Sequence, residues 1–418
     1  MPSGQRVSRV LLALLAGLAV GIVAGAYEYQ TAIDALNAIA PIGTLWINAV
    51  RMTVVPLVVA LLFTGIAGSE RTSFIGRETV AAVVAFVALL LIAALVAWAL
   101  APGLINDITV TPETSAALRA TVAGSAAETK QQIAQLPGFK DWLLGLVPSN
   151  AIRAAADGAM LPLIVFTVLF GFAARQVAAE QRLALTNFFG AVAGAMTVIV
   201  EWMIAVAPIG VFALIAAPAA ASGASLVGAL GHYVVAFSVL CFLFTMLMYP
   251  LVPLCGVPLA RFMRAALPAQ ATALASSSSL ASLPALMRGA NEIGIPPRTS
   301  GFVLPIAVGT FKVAAPITWT MGTLFIAKLY GVTLEPGAVF WIALTAAGLS
   351  FSMPGVPSGS LLLLSAVIVG VGIPAEGVAL LIAIDTIPDL MGTLVNVTGD
   401  LVATVTVTRF SGSHQEAG

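Results

Sequence analysis

Charge is scarce in this sequence. Only 9% of its 418 residues are Asp, Glu, Lys or Arg, against roughly 25% in a soluble globular chain. With 60% hydrophobic residues, that shortage excludes a soluble domain and reads as an integral membrane protein. The net charge is zero and no basic run occurs, so nothing points to a nucleic-acid partner. Cysteine is nearly absent as well. Cys241 and Cys255 lie in one apolar segment, read as buried packing residues, and imply no disulfide framework. No A-x-A-like cleavage site follows a short apolar core, so residues 10–27 read as a first span and not as a removed signal peptide.

A spanning helix needs about 20 mainly apolar residues. Candidate spans fall at roughly 8–27, 45–68, 79–101, 158–175, 188–217 and 226–260. The small-residue cluster AAPAAASGAS at 216–225 is expected to supply a turn between two of them.

The C-terminal half is organised differently. Residues 265–287 are uncharged but Ser-rich, and Pro268 and Pro284 interrupt them. A long apolar stretch follows, carrying Lys312 and broken by Pro305, Gly309 and Pro316. An uncharged run from Pro336 to Ala375 is then interrupted by SFSMPGVPSGS at 350–360. A last apolar segment from Val378 to about Val407 carries Asp385, Asp389, Asp400 and Pro388. A hairpin with a polar tip followed by a broken span therefore occurs twice. Non-helical backbone at membrane depth is tolerated only where protein buries it or a cavity is lined by it. Paired, interrupted apolar segments point to a secondary transporter's binding site.

Arginine is concentrated in the connections that share a side with the N-terminus, such as those holding Arg71, Arg77, Arg175, Arg182, Arg261, Arg264, Arg288 and Arg298. The positive-inside rule then predicts eight spans, two re-entrant hairpins and both termini in the cytoplasm, in a plasma (inner) membrane. The fold class is all-α.

Lys312 is the single Lys or Arg between Arg298 and Lys328. A cation at that depth marks a functional site by default. On the last span, a turn of about 100° per residue puts Asp389, Thr393, Asn396 and Asp400 within about 80° of Asp385. Such a stripe lines a polar cavity or forms an interhelical hydrogen-bond seam. Three carboxylates are more than a seam needs. Glu201 in the fifth span has no assigned role, and His232 reads as a packing or interfacial residue.

Four pieces carry a resemblance: APIGVFALIA at 207–216, ASSSSLASLP at 275–284, PGVPSG at 354–359 and NVTGD at 396–400. In that order they resemble the dicarboxylate/amino acid:cation symporters, which include the glutamate transporters. The resemblance implies an elevator-type fold with inverted repeats, in a homotrimer within the lipid bilayer. Residues 1–260 would be mainly scaffold, with spans three and six shared. Residues 261–411 would form the transport core: hairpin one at about 262–292, span seven at about 300–327, hairpin two at about 337–372 and span eight at about 376–408. Residues 412–418 would be a cytoplasmic tail. An amino acid or dicarboxylate would bind between the tips, Ser277, Ser278 and Ser279 on one side and Ser350 to Gly359 on the other, with Gly355, Val356 and Pro357 at its centre. Asp389 matches the carboxylate that holds a substrate amino group. Thr393 and Asn396 match substrate contacts, and Asp400 matches a sodium ligand.

Departures from the family pattern are concentrated at the cation sites. The family's Asn-Met-Asp-Gly-Thr on span seven is Phe311-Lys312-Val313-Ala314-Ala315 here. On span three, the oxygen-bearing partners of the same ion correspond to Phe86, Leu89 and Leu90. Hard cations need oxygen ligands, so a sodium site is dismantled and at most a residual one is left at Asn396 and Asp400. Lys312 is expected to stand in for the bound cation against Asp400 or Asp389, with Asp385 on the same stripe. That makes the coupling ion a proton, or leaves transport sodium-independent; sodium coupling is the alternative. The Arg that members taking acidic amino acids carry on the last span is Gly392 here, which favours a neutral or larger amino acid. Lys312 could itself receive a carboxylate, which keeps acidic amino acids and dicarboxylates as the alternative. No cofactor is implied. A serine–lysine hydrolase built on Ser277–Ser279 and Lys312 is the enzymatic rival, but it has no use for the aspartate stripe. An anion pore on the same scaffold is the third reading.

Overall fold

A computed structural model describes residues 3–68, 72–108, 110, 115–116, 139–222, 229–352, 359–374 and 377–411. Among the described residues all regular structure is helical. Helices α1 (Ser3–Ala26), α2 (Gln30–Ala67) and α3 (Thr72–Asn106) come first. Short α4 (Phe139–Gly145) and α5 (Ala151–Ala156) precede α6 (Met160–Ala174), α7 (Ala179–Ser222), α8 (Ala229–Met248) and α9 (Leu251–Leu254). Then come α10 (Leu259–Ser276), α11 (Ser279–Glu292), α12 (Pro297–Thr310) and α13 (Ala315–Leu329). The chain closes with α14 (Pro336–Leu349), α15 (Gly359–Gly370), α16 (Gly377–Ile384) and α17 (Thr386–Phe410).

Among the described residues, five stretches are long and apolar enough to cross a membrane: Gly76–Asn106, Ala179–Ile199, Ala229–Leu254, Pro297–Leu329 and Ile387–Phe410. Shorter apolar helices at Leu15–Ala26, Val55–Ala67 and Met160–Ala174 fall on the remaining predicted spans. Pro336–Leu349 is the helix expected as one arm of the second hairpin, whose tip lies outside the described residues.

Helices α1, α2 and α7 pack along one another. The APIG motif explains how α2 and α7 approach so closely. A Cβ on Gly210 would lie 2.2 Å from Trp46 Cγ, so only glycine admits the indole there. Trp46 then donates its Nε1–H to the Met203 carbonyl at 2.9 Å. Helix α7 takes in the first part of the 216–225 cluster and ends at Ser222; the rest of the expected turn, 223–225, lies outside the described residues. The small residues within the helix serve packing, since a Cβ on Gly21 of α1 would meet Ala216 O at 2.4 Å and Ala219 Cβ at 2.6 Å. Small residues let helix backbones approach closely in membranes.

Helix α3 lies against α8, α13, α14 and α17. Its C-terminal carbonyls, on Ile105 and Asn106, accept from Lys328 Nζ at 3.0 and 2.7 Å. Trp98 of α3 donates to the Pro336 carbonyl at 3.1 Å. At its other end, buried Glu78 accepts from Thr299 of α12. Cys241 and Cys255 are free and buried, as expected of packing residues, and His232 is exposed at the start of α8.

The two interrupted segments owe their shape to proline and serine. In the first hairpin the chain reverses at Ser277, which takes a left-handed conformation (φ 47°, ψ 33°). Ser278 then caps α11, its side chain accepting from Ala281 N at 3.2 Å, a common N-cap arrangement. The arms touch where Gly289 meets the Ala265 carbonyl, 2.5 Å from where a Cβ would stand. In the last span Pro388 has no N–H for the Ile384 carbonyl, and the helix is interrupted at Asp385 before restarting at Thr386.

Candidate substrate and coupling site

The break in span seven lies between Thr310 and Ala315, and Lys312 is at its centre. Two local facts cause it. Phe311 turns extended (φ −93°, ψ 112°), which takes the Lys312 N–H off the helix. Pro316 has no N–H, so the Lys312 carbonyl loses its usual donor four residues on. Several of the backbone groups released here find partners. The Lys312 N–H donates to Ser350 Oγ at 2.9 Å, and the Ser350 hydroxyl donates to the Lys312 carbonyl at 3.0 Å. Ala315 N also reaches that carbonyl at 3.0 Å. Ala314 N donates to Asn396 Oδ1 on α17 at 2.8 Å. The Val308 carbonyl accepts from the ammonium of Lys312 itself, at 2.7 Å. A lysine on the last carbonyls of a half-helix also meets the negative end of its dipole.

Across from this turn stands the polar stripe. Asp389, Thr393, Asn396 and Asp400 all belong to α17. They grade from exposed Asp389, through half-buried Asn396, to Asp400 with no exposure at all. Both Asp389 and Asp400 lie within electrostatic reach of the Lys312 ammonium. The two carboxylate oxygens of Asp400 are buried without a hydrogen-bond partner. Asp385 stands at the turn ahead of α17 with helical backbone (φ −63°, ψ −19°), its carbonyl accepting from Asp389 N at 2.8 Å, and Tyr233 of α8 lies within its electrostatic reach.

The residues expected at cation positions, Phe86, Leu89, Leu90, Phe311 and Val313, belong to one apolar core. The Phe86 and Phe311 rings stack with centroids 4.5 Å apart and planes inclined by 16°. Leu89, Leu90 and Val313 are buried beside them in the same core. Val313 Cγ1 stands 2.6 Å from where a Cβ on Gly399 would be. Asn396 keeps an oxygen, but that oxygen already accepts from Ala314 N.

Gly392 is buried and has room beside it. A Cβ there would meet only Ala314 Cβ at 3.8 Å and Thr318 Oγ1 at 3.9 Å. Ser277, Ser278 and Ser279 occupy the tip of the first hairpin, as expected. Gly355, Val356 and Pro357 lie outside the described residues, as does the rest of 353–358. Sequence reading missed Gln270, a buried amide that donates to Tyr249 Oη and Thr398 Oγ1 at 2.9 Å each. It ties the first hairpin to span eight, and an amide in an otherwise Ala- and Ser-rich helix was the available signal.

A broken span carrying Lys312, with Asp389 and Asp400 of the last apolar helix in its electrostatic reach, fits a multi-pass membrane carrier. Comparison with known proteins narrows that class. The model of the sodium:dicarboxylate symporter family matches residues 7–410, and the chain belongs to that family. It is therefore a transporter and not an enzyme, with the glutamate-transporter-like fold. It is 28% identical over 402 residues to a proton/glutamate-aspartate symporter of Escherichia coli K12, covering 95% of this chain and 92% of that one. It is 28% identical over 411 residues to a proton/sodium-glutamate symport protein of Bacillus subtilis 168, covering 97% and 93%. A C4-dicarboxylate transport protein of Pseudomonas aeruginosa PAO1 is 27% identical over 413 residues, covering 97% and 89%.

Proposed function

We propose that this symporter imports a neutral amino acid, with protons as the coupling ion or with no dependence on sodium, and that Lys312 replaces the bound cation. The observation that carries this reading is the pairing of an ammonium in reach of unpartnered Asp400 with an apolar fill at the neighbouring cation positions. Sodium prefers oxygen ligands, and Phe86, Phe311 and Val313 offer none. Gly392 brings no charge to the site, which favours a substrate without a side-chain carboxylate. Asp389, exposed on α17, is the carboxylate that would hold the substrate's amino group.

The machine we propose is an elevator. Residues 261–411, with spans three and six, would slide against a trimeric scaffold made by the rest of 1–260. The contact between Trp46, Ala207 and Val211 on one side and Ala271, Ala275, Ala281 and Leu390 on the other supports this, because small apolar side chains leave little to interlock. Both termini would be cytoplasmic, as the arginine distribution requires.

A second reading has its own support. The relatives' names include glutamate, aspartate and C4-dicarboxylates, and the Lys312 ammonium is itself a partner for a carboxylate. The deciding experiment is uptake of labelled L-serine, L-glutamate and succinate into proteoliposomes, under an inward proton gradient or an inward sodium gradient. Proton-driven L-serine uptake indifferent to sodium supports the first reading. Sodium-driven uptake of L-glutamate or succinate supports the second and refutes the first. Current without stoichiometric uptake would make the protein a pore.

A further inference from the structure

Ser350 is fully buried where α14 passes into the 3-10 turn at Ser350–Ser352 of the second hairpin. Threonines in the neighbouring helices use their hydroxyls locally. Thr310, Thr318 and Thr323 each donate to the carbonyl four residues back, the usual habit of a helical hydroxyl. Ser350 instead reaches 38 residues away and serves both main-chain groups of Lys312. A hydroxyl has one donor hydrogen and two acceptor lone pairs, so one side chain can do both. Lys312 needs this help, because extended Phe311 and Pro316 remove its helical partners. Unpartnered backbone groups inside a membrane are costly.

We infer that Ser350 is a positioning residue, whose hydroxyl ties the second hairpin to the Lys312 turn. The hairpin cannot move away without unmaking the turn that seats the ammonium on the Val308 carbonyl. The inference rests on reading this turn as part of the transport site, and it names the side chain through which the hairpin sets the site's geometry. The titratable groups facing Lys312 are Asp389 and Asp400, both on α17; Ser350 is uncharged and acts on the backbone alone.

The test compares Ser350→Ala with Ser350→Thr in the full chain. Initial uptake of L-serine, L-glutamate and succinate is followed over concentration. Hydrogen–deuterium exchange is read in peptides covering 308–316 and 340–352. In the Ala variant the KM of the transported probe should rise about tenfold, the factor that a lost interaction of about 1.4 kcal/mol gives, with the maximal rate little changed. Exchange should accelerate in both peptides together, and Thr, which keeps the hydroxyl, should hold all three readouts near the parent. Acceleration confined to 308–316, or an unchanged KM, would overturn the inference. Sodium-driven uptake by the parent protein would sink the proton reading but leave both of these outcomes decisive for Ser350.

Discussion

The ring of Phe311 lies on the ring of Phe86, with centroids 4.5 Å apart, linking span seven to span three by carbon. Both side chains are buried. Phe311→Ala should therefore behave as a core truncation, lowering stability by about 3–5 kcal/mol. It should not confer sodium dependence, because removing a ring adds no oxygen. Thermal unfolding in detergent, together with uptake in sodium or choline medium, measures both. Sodium stimulation of the Ala variant would mean that oxygen ligands already stand behind the ring.

Lys312→Met removes the ammonium and keeps the backbone bonds to Ser350. Proton-driven uptake should fall by a factor of ten or more, on the order of the 1–3 kcal/mol attached to a lost charge-assisted bond. Lys312→Arg keeps a charge that does not come off in proteins. It should bind substrate but not complete net proton-driven uptake, while exchange of internal for external substrate continues. Net uptake and counterflow in the same vesicles separate the two steps. Full proton-driven uptake by the Arg variant would exclude Lys312 as the proton carrier.

Much of this arrangement was legible in the sequence, for physical reasons. Proline and Ser clusters inside apolar runs announce interrupted helices, and Lys312 stands out because an ammonium in hydrocarbon must be held. The stripe from Asp389 to Asp400 follows from helical periodicity within one uninterrupted helix. Long-range pairings were not legible. The Val308 carbonyl as the ammonium's partner depends on Phe311 turning extended. The Ser350 bonds join residues that nothing in local sequence relates. The small residues at 216–222 lie within α7, because small size serves close helix packing as well as it serves a turn.

Gly392→Arg tests substrate choice. An added Cβ meets only ordinary contacts with Ala314 and Thr318, and thermal unfolding of the variant checks that the longer side chain is accommodated. An Arg–carboxylate contact is charge-assisted and often bidentate. The variant should therefore gain affinity for L-glutamate, with KM falling roughly tenfold or more for about 1.5–3 kcal/mol, and should lose L-serine uptake. Competition of each unlabelled probe against the other measures the shift. Unchanged selectivity would show that the substrate's side chain does not reach Gly392.

Gly399 presents the opposite steric case, although it lies on the same helix. A Cβ there would stand 2.6 Å from Val313 Cγ1 and 3.6 Å from Phe311 Cε1. Both neighbours are buried and held by the apolar fill, so neither is a flexible chain end that could move aside. Gly399→Ala should overpack this layer and destabilise the protein by about 1–3 kcal/mol, even though alanine favours the helix by about 1 kcal/mol. Val313→Ala alone should leave a cavity. Combined, the two changes exchange one methyl for two across a single contact. Their costs should cancel in part, with a coupling of about 1 kcal/mol or more for residues in contact. Unfolding of the parent, both single variants and the double variant completes the cycle. Additive costs would mean that α17 and the Lys312 turn are not in contact at Gly399, and would separate the apolar fill from Asp400.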